Sequence, residues 1–345
     1  MSLWLGILGG QITIPPFTRQ YDIAVVTEQA SPFISTYPWG NGFGTKYADP
    51  ATSPGNFTTG VTFSPSGAHI AVANIRLVGS DLGITTYSWS AGFGTKYANP
   101  ATLPGTTHES AFSPSGAHIA IPSADTTPFI FAYPWSNGFG TKYANPATPP
   151  PADSRGVAFS PSGAHIAVAH NTTPFISTYP WNNGFGTKYA NPATLPGEYG
   201  RGVTFSPSGA HIAVATLLSP RITAYPWNNG FGTKYANPAT LPGGYGNGVD
   251  FSPSGAHIAV AHNSGAVSAY PWSNGFGTKY AWPEPFPQGV GTGTMFSPNG
   301  ATIAVSHGSS PFLSAYIWNN GFGTKYADPA TLPAGYGHDV AFSPN

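Results

Sequence analysis

The side chains best suited to chemistry are few, because only 7% of the residues are charged. The twelve acidic residues do not recur at a fixed repeat position, whereas acid–base catalysis needs two ionisable groups that face each other. His338 and Asp339 form an adjacent base–acid pair, which we interpret as a chance neighbourhood. No Gly-x-Ser-x-Gly or His-Glu-x-x-His motif occurs. The sequence therefore predicts a protein that is not an enzyme and that carries no cofactor.

Four of the five arginines and three tyrosines lie in or beside the segments that vary most along the chain. Both residue types anchor binding surfaces well, and function often resides in loops held by a rigid scaffold. We predict a recognition rim made of Arg76, Arg155, Tyr199, Arg201, Arg221, Tyr245 and Tyr336. The alternative is that these loops vary only because packing permits it.

All seven lysines occupy one position of a repeated heptapeptide, GFGTKYA. They are Lys46, Lys96, Lys142, Lys188, Lys234, Lys279 and Lys325. This ring of charges predicts either a solvated rim that keeps strand edges from pairing or a multivalent grip on an anionic partner. Repeated histidines and tryptophans predict hydrogen bonding at turns and packing in hairpins, with sugar binding as the alternative for the tryptophans. We expect no metal site.

The heptapeptide belongs to a longer repeat that must position these side chains. Its phenylalanine recurs at spacings of 50, 46, 46, 46, 45 and 46 residues, and a second marker, FSP, also occurs seven times. A period of about 40–50 residues with short strands is typical of a β-propeller. We predict an all-β, seven-bladed propeller with four-stranded blades. In the unit after Gly202, the strands would be 202–205, 211–215, 222–227 and 231–235.

The two ends of the repeat region complement each other. The chain enters at the second strand of a blade, near residue 21, and leaves on a first strand, Val340 to Phe342. A C-terminal first strand that joins the N-terminal unit would close the ring and leave no open sheet edge. We therefore predict an N-terminal arm over 1–20 and a propeller over 21–345.

The sequence FSPSG followed by HIAVA resembles the FSPDG-type strand of WD40-like, YVTN and TolB-type propeller repeats, over residues 21–345. Serine stands where those repeats usually have aspartate, and the Gly-His and Trp-Asp dipeptides of typical WD40 blades are missing. The near-identical Gly-, Pro- and aromatic-rich units are also similar in style to propellers encoded by bacteriophages. That resemblance implies a structural protein of a virion.

From this resemblance we expect a non-catalytic module on a phage particle, active in adhesion or host recognition. Its partners would be proteins of the same assembly, bound through residues 1–20 or the invariant face, or a host-surface glycan. Two alternatives are a multivalent lectin and a cellular interaction scaffold. The formal net charge of zero argues against nucleic acid, and the apolar start of the chain is too short to span a membrane.

Overall fold

The computed structural model describes residues 18–28, 31–75 and 83–344, and in these ranges all regular structure is β. Twenty-four strands form seven small antiparallel sheets, the blades of a propeller. The predicted seven-bladed fold is confirmed. No helix in the described residues has the length and hydropathy that a membrane span requires.

Each blade has three regular strands, which we list from the axis outwards. The innermost strands are β4 (Thr58–Phe63), β8 (Ala111–Phe112), β11 (Ser154–Phe159), β14 (Gly200–Phe205), β17 (Gly246–Phe251), β20 (Gly291–Phe296) and β24 (Gly337–Phe342). The second strands are β1 (Tyr21–Thr27), β5 (His69–Asn74), β9 (His118–Pro122), β12 (His165–His170), β15 (His211–Thr216), β18 (His257–His262) and β21 (Thr302–His307). The third strands are β2 (Ile34–Gly40), β6 (Ile84–Trp89), β10 (Ile130–Pro134), β13 (Ile176–Pro180), β16 (Ile222–Pro226), β19 (Ala266–Pro271) and β22 (Leu313–Trp318).

The ring closes as predicted. Strand β24 pairs with β1, with Ile23 opposite Phe342 and Val25 opposite Val340, to complete the sheet β24-β1-β2-β3. We number this sheet blade 1 and the others blades 2 to 7 in chain order. Closure places β24 beside β4, so the C-terminal strand lies at the propeller axis with the other innermost strands.

The predicted fourth strand forms fully in only two blades. Strands β7 (Phe93–Lys96) and β23 (Phe322–Lys325) are regular, β3 (Gly42–Phe43) has two residues, and four blades show only an isolated bridge such as Trp227 to Phe231. In those four blades and in blade 1, proline precedes the tryptophan of the third strand, whereas blades 2 and 7 have Ser88 and Ile317 there. Proline has no N–H for the ladder. The outer pairing therefore stops at the bridge.

The blades pack through repeated aromatic contacts. In blade 4, Trp181 is 6% exposed, and its ring meets Phe185 of its own hairpin edge-on at 5.1 Å and Tyr143 of the preceding blade at 5.3 Å. Edge-on geometry at this distance is favourable for aromatic rings. The seven repeated tryptophans are 1–6% exposed, so they pack the blades together as the hairpin interpretation expects.

The repeated histidine after the FSPSG turn also joins blades. In blade 3, His118 shares a hydrogen bond between its Nδ1 and the Tyr143 hydroxyl at 2.8 Å, and its ring contacts Trp181 of the next blade at 5.5 Å. Burial lowers the pKa of His118. The neutral ring therefore suits its position between two aromatic residues.

Candidate functional site

One residue from each blade lines a cavity on the propeller axis. Each lies four positions before the phenylalanine of an FSP marker, near the start of an innermost strand. The ring consists of Thr59, His108, Arg155, Arg201, Asn247, Thr292 and His338. The cavity has a volume of about 480 Å³. Ile75, Tyr245, Asn263 and Tyr336 of the connecting loops add to its wall.

The position after each ring residue divides the seven blades into two groups. It is glycine in five blades, and at Gly156 a Cβ atom would lie 2.4 Å from the Arg201 carbonyl oxygen of the next blade. Blades 1 and 3 have Asp339 and Glu109 there instead. Their side chains border both the cavity and the channel of about 320 Å³ that continues along the innermost strands.

Each of these carboxyl groups is held by a backbone amide of the following blade. The Val157 N–H donates to Glu109 Oε2 at 2.9 Å, and the Val61 N–H donates to Asp339 Oδ2 at 3.0 Å. One oxygen of each group is thus fixed, and both side chains belong to the cavity wall.

Burial shifts the pKa values of these acids towards neutrality. It raises the pKa of Glu109 to about 8, with a further contribution from the negative charge of Asp339. Burial also raises the pKa of Asp339 to about 7. Two carboxyl groups with separated pKa values can act as acid and base at the same pH.

His108, which precedes Glu109, is neutral at physiological pH. Its pKa falls to about 3, mainly because of burial and then because of the positive charge of Arg155. A neutral imidazole has one N–H donor and one acceptor nitrogen. His108 can therefore donate a hydrogen bond to a substrate oxygen without carrying a charge.

His338, which precedes Asp339, has an acidic neighbour from a loop. Its Nε2 atom lies 3.0 Å from Glu28 Oε2, and its ring is 5.2 Å from that of Tyr336. The Glu28 N–H donates to the Tyr336 carbonyl at 3.1 Å, which holds the loop against β24. His338 Nε2 makes no hydrogen bond with this geometry, so the Glu28 carboxylate is a close neighbour of the ring rather than its hydrogen-bond partner.

The two arginines lie in blades 4 and 5 and differ in their partners. Arg155 donates to Asp153 Oδ2 from Nη2 at 2.9 Å, so its charge is largely balanced. Arg201 donates to the neutral Asn247 Oδ1 at 2.7 Å. Burial, and then the charge of Arg155, lower the pKa of Arg201. An anion between the two guanidinium groups would relieve this repulsion.

The ring therefore combines acidic and cationic side chains. Blades 1 and 3 supply two histidine–acid pairs, and blades 4 and 5 supply two cations. No three His, Asp or Glu side chains in the described ranges are arranged to hold a metal ion. Because blades 3 and 4 are neighbours, Glu109 is bonded to the same blade that carries Arg155, so the cavity offers cations for an anionic group and ionisable acids within one ring.

Four members of the predicted recognition rim meet in this cavity: Arg155, Arg201, Tyr245 and Tyr336. Two others lie outside it. Tyr199 is 41% exposed beside Phe175, and Arg221 donates from Nη1 to the Pro242 carbonyl at 2.9 Å. Arg76 lies outside the described residues, as does most of the 1–20 arm. Recognition by these residues stays a prediction.

The repeated lysines do not all point freely into solvent. Five donate hydrogen bonds to the Asn or Asp three positions later, namely Lys46 to Asp49, Lys142 to Asn145, Lys188 to Asn191, Lys234 to Asn237, and Lys325 to Asp328. Lys279 instead contacts Trp282, and Lys96 ends β7. Binding of a partner by this ring also stays a prediction.

The axial ring of polar side chains is a feature that the repeat pattern alone did not indicate. The sequence suggests that the adjacent pair His338–Asp339 is a chance neighbourhood. The structure places it on the axial cavity together with a second histidine–acid pair, His108–Glu109. A signal was available, since all seven residues four positions before FSP phenylalanines are polar.

Comparisons with known proteins support the fold. No family model and no curated protein matches the chain. Among solved structures, a Bacteroides uniformis protein assigned as a 6-phosphogluconolactonase has a TM-score of 0.73 and 16% identity, covering 94% of this chain and 100% of its own. A periplasmic gluconolactonase from Pseudomonas aeruginosa has a TM-score of 0.72 and 16% identity, covering 94% and 99%. A Bacteroides fragilis protein, also assigned as a 6-phosphogluconolactonase, has a TM-score of 0.72 and 14% identity, covering 93% and 97%.

These findings correct several expectations. The chain is a seven-bladed β-propeller like these proteins, and the similarity to phage propellers is not shown. Their names contradict the expectation of a non-catalytic phage module, together with the virion location, the adhesion role and the prediction that the protein is not an enzyme. Identities near 15% establish a shared fold only, so any activity has to be argued from the cavity itself.

Proposed function

We propose that this protein is a lactone hydrolase, and that it opens a small, anionic sugar lactone in the axial cavity. The observation that carries the proposal is the axial ring, in which two carboxyl groups of near-neutral pKa share one cavity with a pair of arginines. The lactonase names of proteins with the same fold support it.

The residues suggest a division of labour for the reaction. Asp339, ionised above its pKa of about 7, accepts a proton from water as the water oxygen attacks the lactone carbonyl carbon. The carbonyl electron pair moves onto its oxygen, which accepts one hydrogen bond from neutral His108, and it returns to re-form the carbonyl as the leaving oxygen departs. When the ring C–O bond breaks, the leaving oxygen takes the proton of Glu109. The product is an open-chain hydroxy acid.

The arginines would select the substrate. Planar guanidinium groups match phosphate and carboxylate oxygens with paired hydrogen bonds. Arg201, which is paired only with a neutral amide, is the stronger candidate. A phosphorylated lactone such as 6-phosphogluconolactone fits this arrangement, with its anionic end at Arg201 of blade 5 and its carbonyl towards Asp339 of blade 1 and His108 of blade 3.

Arg201→Gln should raise KM for 6-phosphogluconolactone by about tenfold or more, because a charge-assisted hydrogen bond to the phosphate is lost. KM for unphosphorylated gluconolactone should change little. The rates can be followed by acid release in a pH-stat, with spontaneous hydrolysis subtracted. Arg221→Gln is the matched control, since Arg221 lies outside the cavity. Equal loss for both lactones would contradict the role of Arg201.

The pH dependence of kcat should be bell-shaped. Activity should rise as Asp339 loses its proton near pH 7 and fall as Glu109 loses its proton near pH 8. The two limbs describe the coupled pair rather than single residues. Glu109→Gln should remove the alkaline limb and lower the rate, and an unchanged alkaline limb in this variant would exclude Glu109 as the acid.

A further inference from the structure

One linker departs from the repeat at the outer edge of blade 6. In the other units, the heptapeptide is followed by Asn or Asp, then Pro-Ala-Thr, as in 237–240. After Tyr280 the chain has Trp282 in place of that Asn, Glu284 in place of Ala, Pro285 in place of Thr and Phe286 in place of Leu. A local departure in a nearly uniform repeat indicates a local role.

The linker is nevertheless attached to the next blade as in the other units, although its Glu284–Pro285 peptide bond is cis. The hydroxyl of Tyr316 donates to the Pro285 carbonyl at 2.7 Å. At the equivalent place, Tyr270 donates to the Thr240 carbonyl at 2.8 Å. The substitutions therefore change the side chains presented at this surface and leave the attachment of the linker to the next blade intact.

These side chains border a cavity of about 320 Å³, separate from the axial cavity. Its wall consists of Trp282, Glu284 and Phe286 with Ser264 and the glycines Gly243 and Gly265. Trp282 is 39% exposed and Phe286 is 44% exposed, unlike the buried tryptophans of the repeat.

The glycines make room for the indole. A Cβ atom at Gly265 would lie 2.6 Å from Cζ3 of Trp282 and 2.7 Å from Cη2. The His262 ring meets the indole edge-on at 5.8 Å. Trp282 is therefore seated in a fitted position, with part of its surface left open to the cavity.

The charges around the aromatic surface balance. Lys279 Nζ lies 3.9 Å from the centre of the Trp282 ring, at the position where other repeat lysines bond to Asn or Asp. Glu284 contributes one carboxyl group to the wall. One cation and one carboxylate leave no net charge to attract a strongly ionic ligand.

We infer that this cavity binds one neutral sugar ring. The C–H face of a sugar packs on an open aromatic surface, as apolar surface does when it leaves water. The Glu284 carboxylate accepts hydrogen bonds from sugar hydroxyls, and the Ser264 hydroxyl can donate or accept. The site is single, unlike the seven equal pockets of a lectin ring, and it does not depend on lactone hydrolysis in the axial cavity.

The test uses a variant that converts the linker to the repeat sequence: Trp282→Asn, Glu284→Ala, Pro285→Thr and Phe286→Leu. Because blade 5 already has these residues at 237–241, the variant should fold. Glucose, N-acetylglucosamine and cellobiose, with glucuronate as the anionic comparison, are titrated by calorimetry and tryptophan fluorescence.

We expect millimolar binding of at least one neutral sugar with a stoichiometry of one and no binding by the repeat-sequence variant. Glucuronate should bind no more tightly than glucose, because Lys279 and Glu284 leave the site without net charge. Trp282→Phe should retain part of the affinity and Trp282→Ala none. Absence of sugar binding to the native chain, or equal binding by the repeat-sequence variant, would overturn the inference. Lactone hydrolysis should be unchanged in that variant, which separates this site from the proposed catalytic one.

Discussion

Asp339→Asn should lower kcat for lactone hydrolysis by about 100-fold or more, the scale of a lost general base. Asparagine keeps an oxygen that can accept the Val61 N–H, now at 3.0 Å from the carboxylate, but it cannot take a proton from water. KM should change little, because the arginines that hold the anionic group are untouched. Steady-state rates over a range of lactone concentrations separate the two parameters.

The matched control for this variant is Asp250→Asn. Asp250 is also a buried acid of an innermost strand, its pKa is raised by burial to about 7, and its Oδ2 accepts the Phe296 N–H at 2.9 Å. It lines the axial channel and not the catalytic cavity. Comparable losses of kcat in both variants would mean that Asp339 acts through the structure of the ring, which would contradict its role as the base.

Asp22→Ala should destabilise the protein by about 3–5 kcal/mol, the cost of leaving the partners of a buried charge unpaired. Asp22 is fully buried in blade 1 and accepts hydrogen bonds from Trp89 Nε1 at 2.7 Å, the Tyr47 hydroxyl at 2.8 Å and Arg19 Nε at 2.8 Å. Its own N–H donates to Ser343 Oγ at 2.8 Å. It therefore ties blade 1 to blade 2 and to the closing strand.

Urea-induced unfolding measures this loss, and Asp22→His provides the control. Five other blades have histidine at this position with a tyrosine hydroxyl bound to its Nδ1, as in His165 and Tyr189 at 3.1 Å. The histidine variant should therefore lose less than half as much stability as the alanine variant. Equal losses would show that the geometry of blade 1 and not the missing hydrogen bonds determines the cost.

The blades could be predicted from the sequence because their signals are local and repeated. The FSP and GFGTKYA markers give the period, and the pairing of Ile23 with Phe342 follows from the two incomplete ends. The weak fourth strand was also readable in principle from the proline before each tryptophan. The alternation of apolar residues favours a full fourth strand, but Pro226 has no N–H for the ladder, and only the Trp227–Phe231 bridge forms.

The site was harder to predict because it occupies a position at which the units differ. A comparison that looks for repeated residues passes over His108 and Arg201 because no residue type occupies this position in more than two blades. The electrostatics depend on closure: the charge of Asp339 raises the pKa of Glu109 although 230 positions separate them in the chain. Only the closed ring brings these two acids to one cavity and removes them from water.

The most direct test of the central claim is a crystal structure of the protein with the hydroxy-acid product of 6-phosphogluconolactone. The product should occupy the axial cavity, with its phosphate within hydrogen-bond distance of Arg201 and its new carboxylate beside Asp339 and His108. A product molecule seated elsewhere while the axial cavity stays open, or one bound in the reverse orientation with its phosphate against Asp339, would contradict the account.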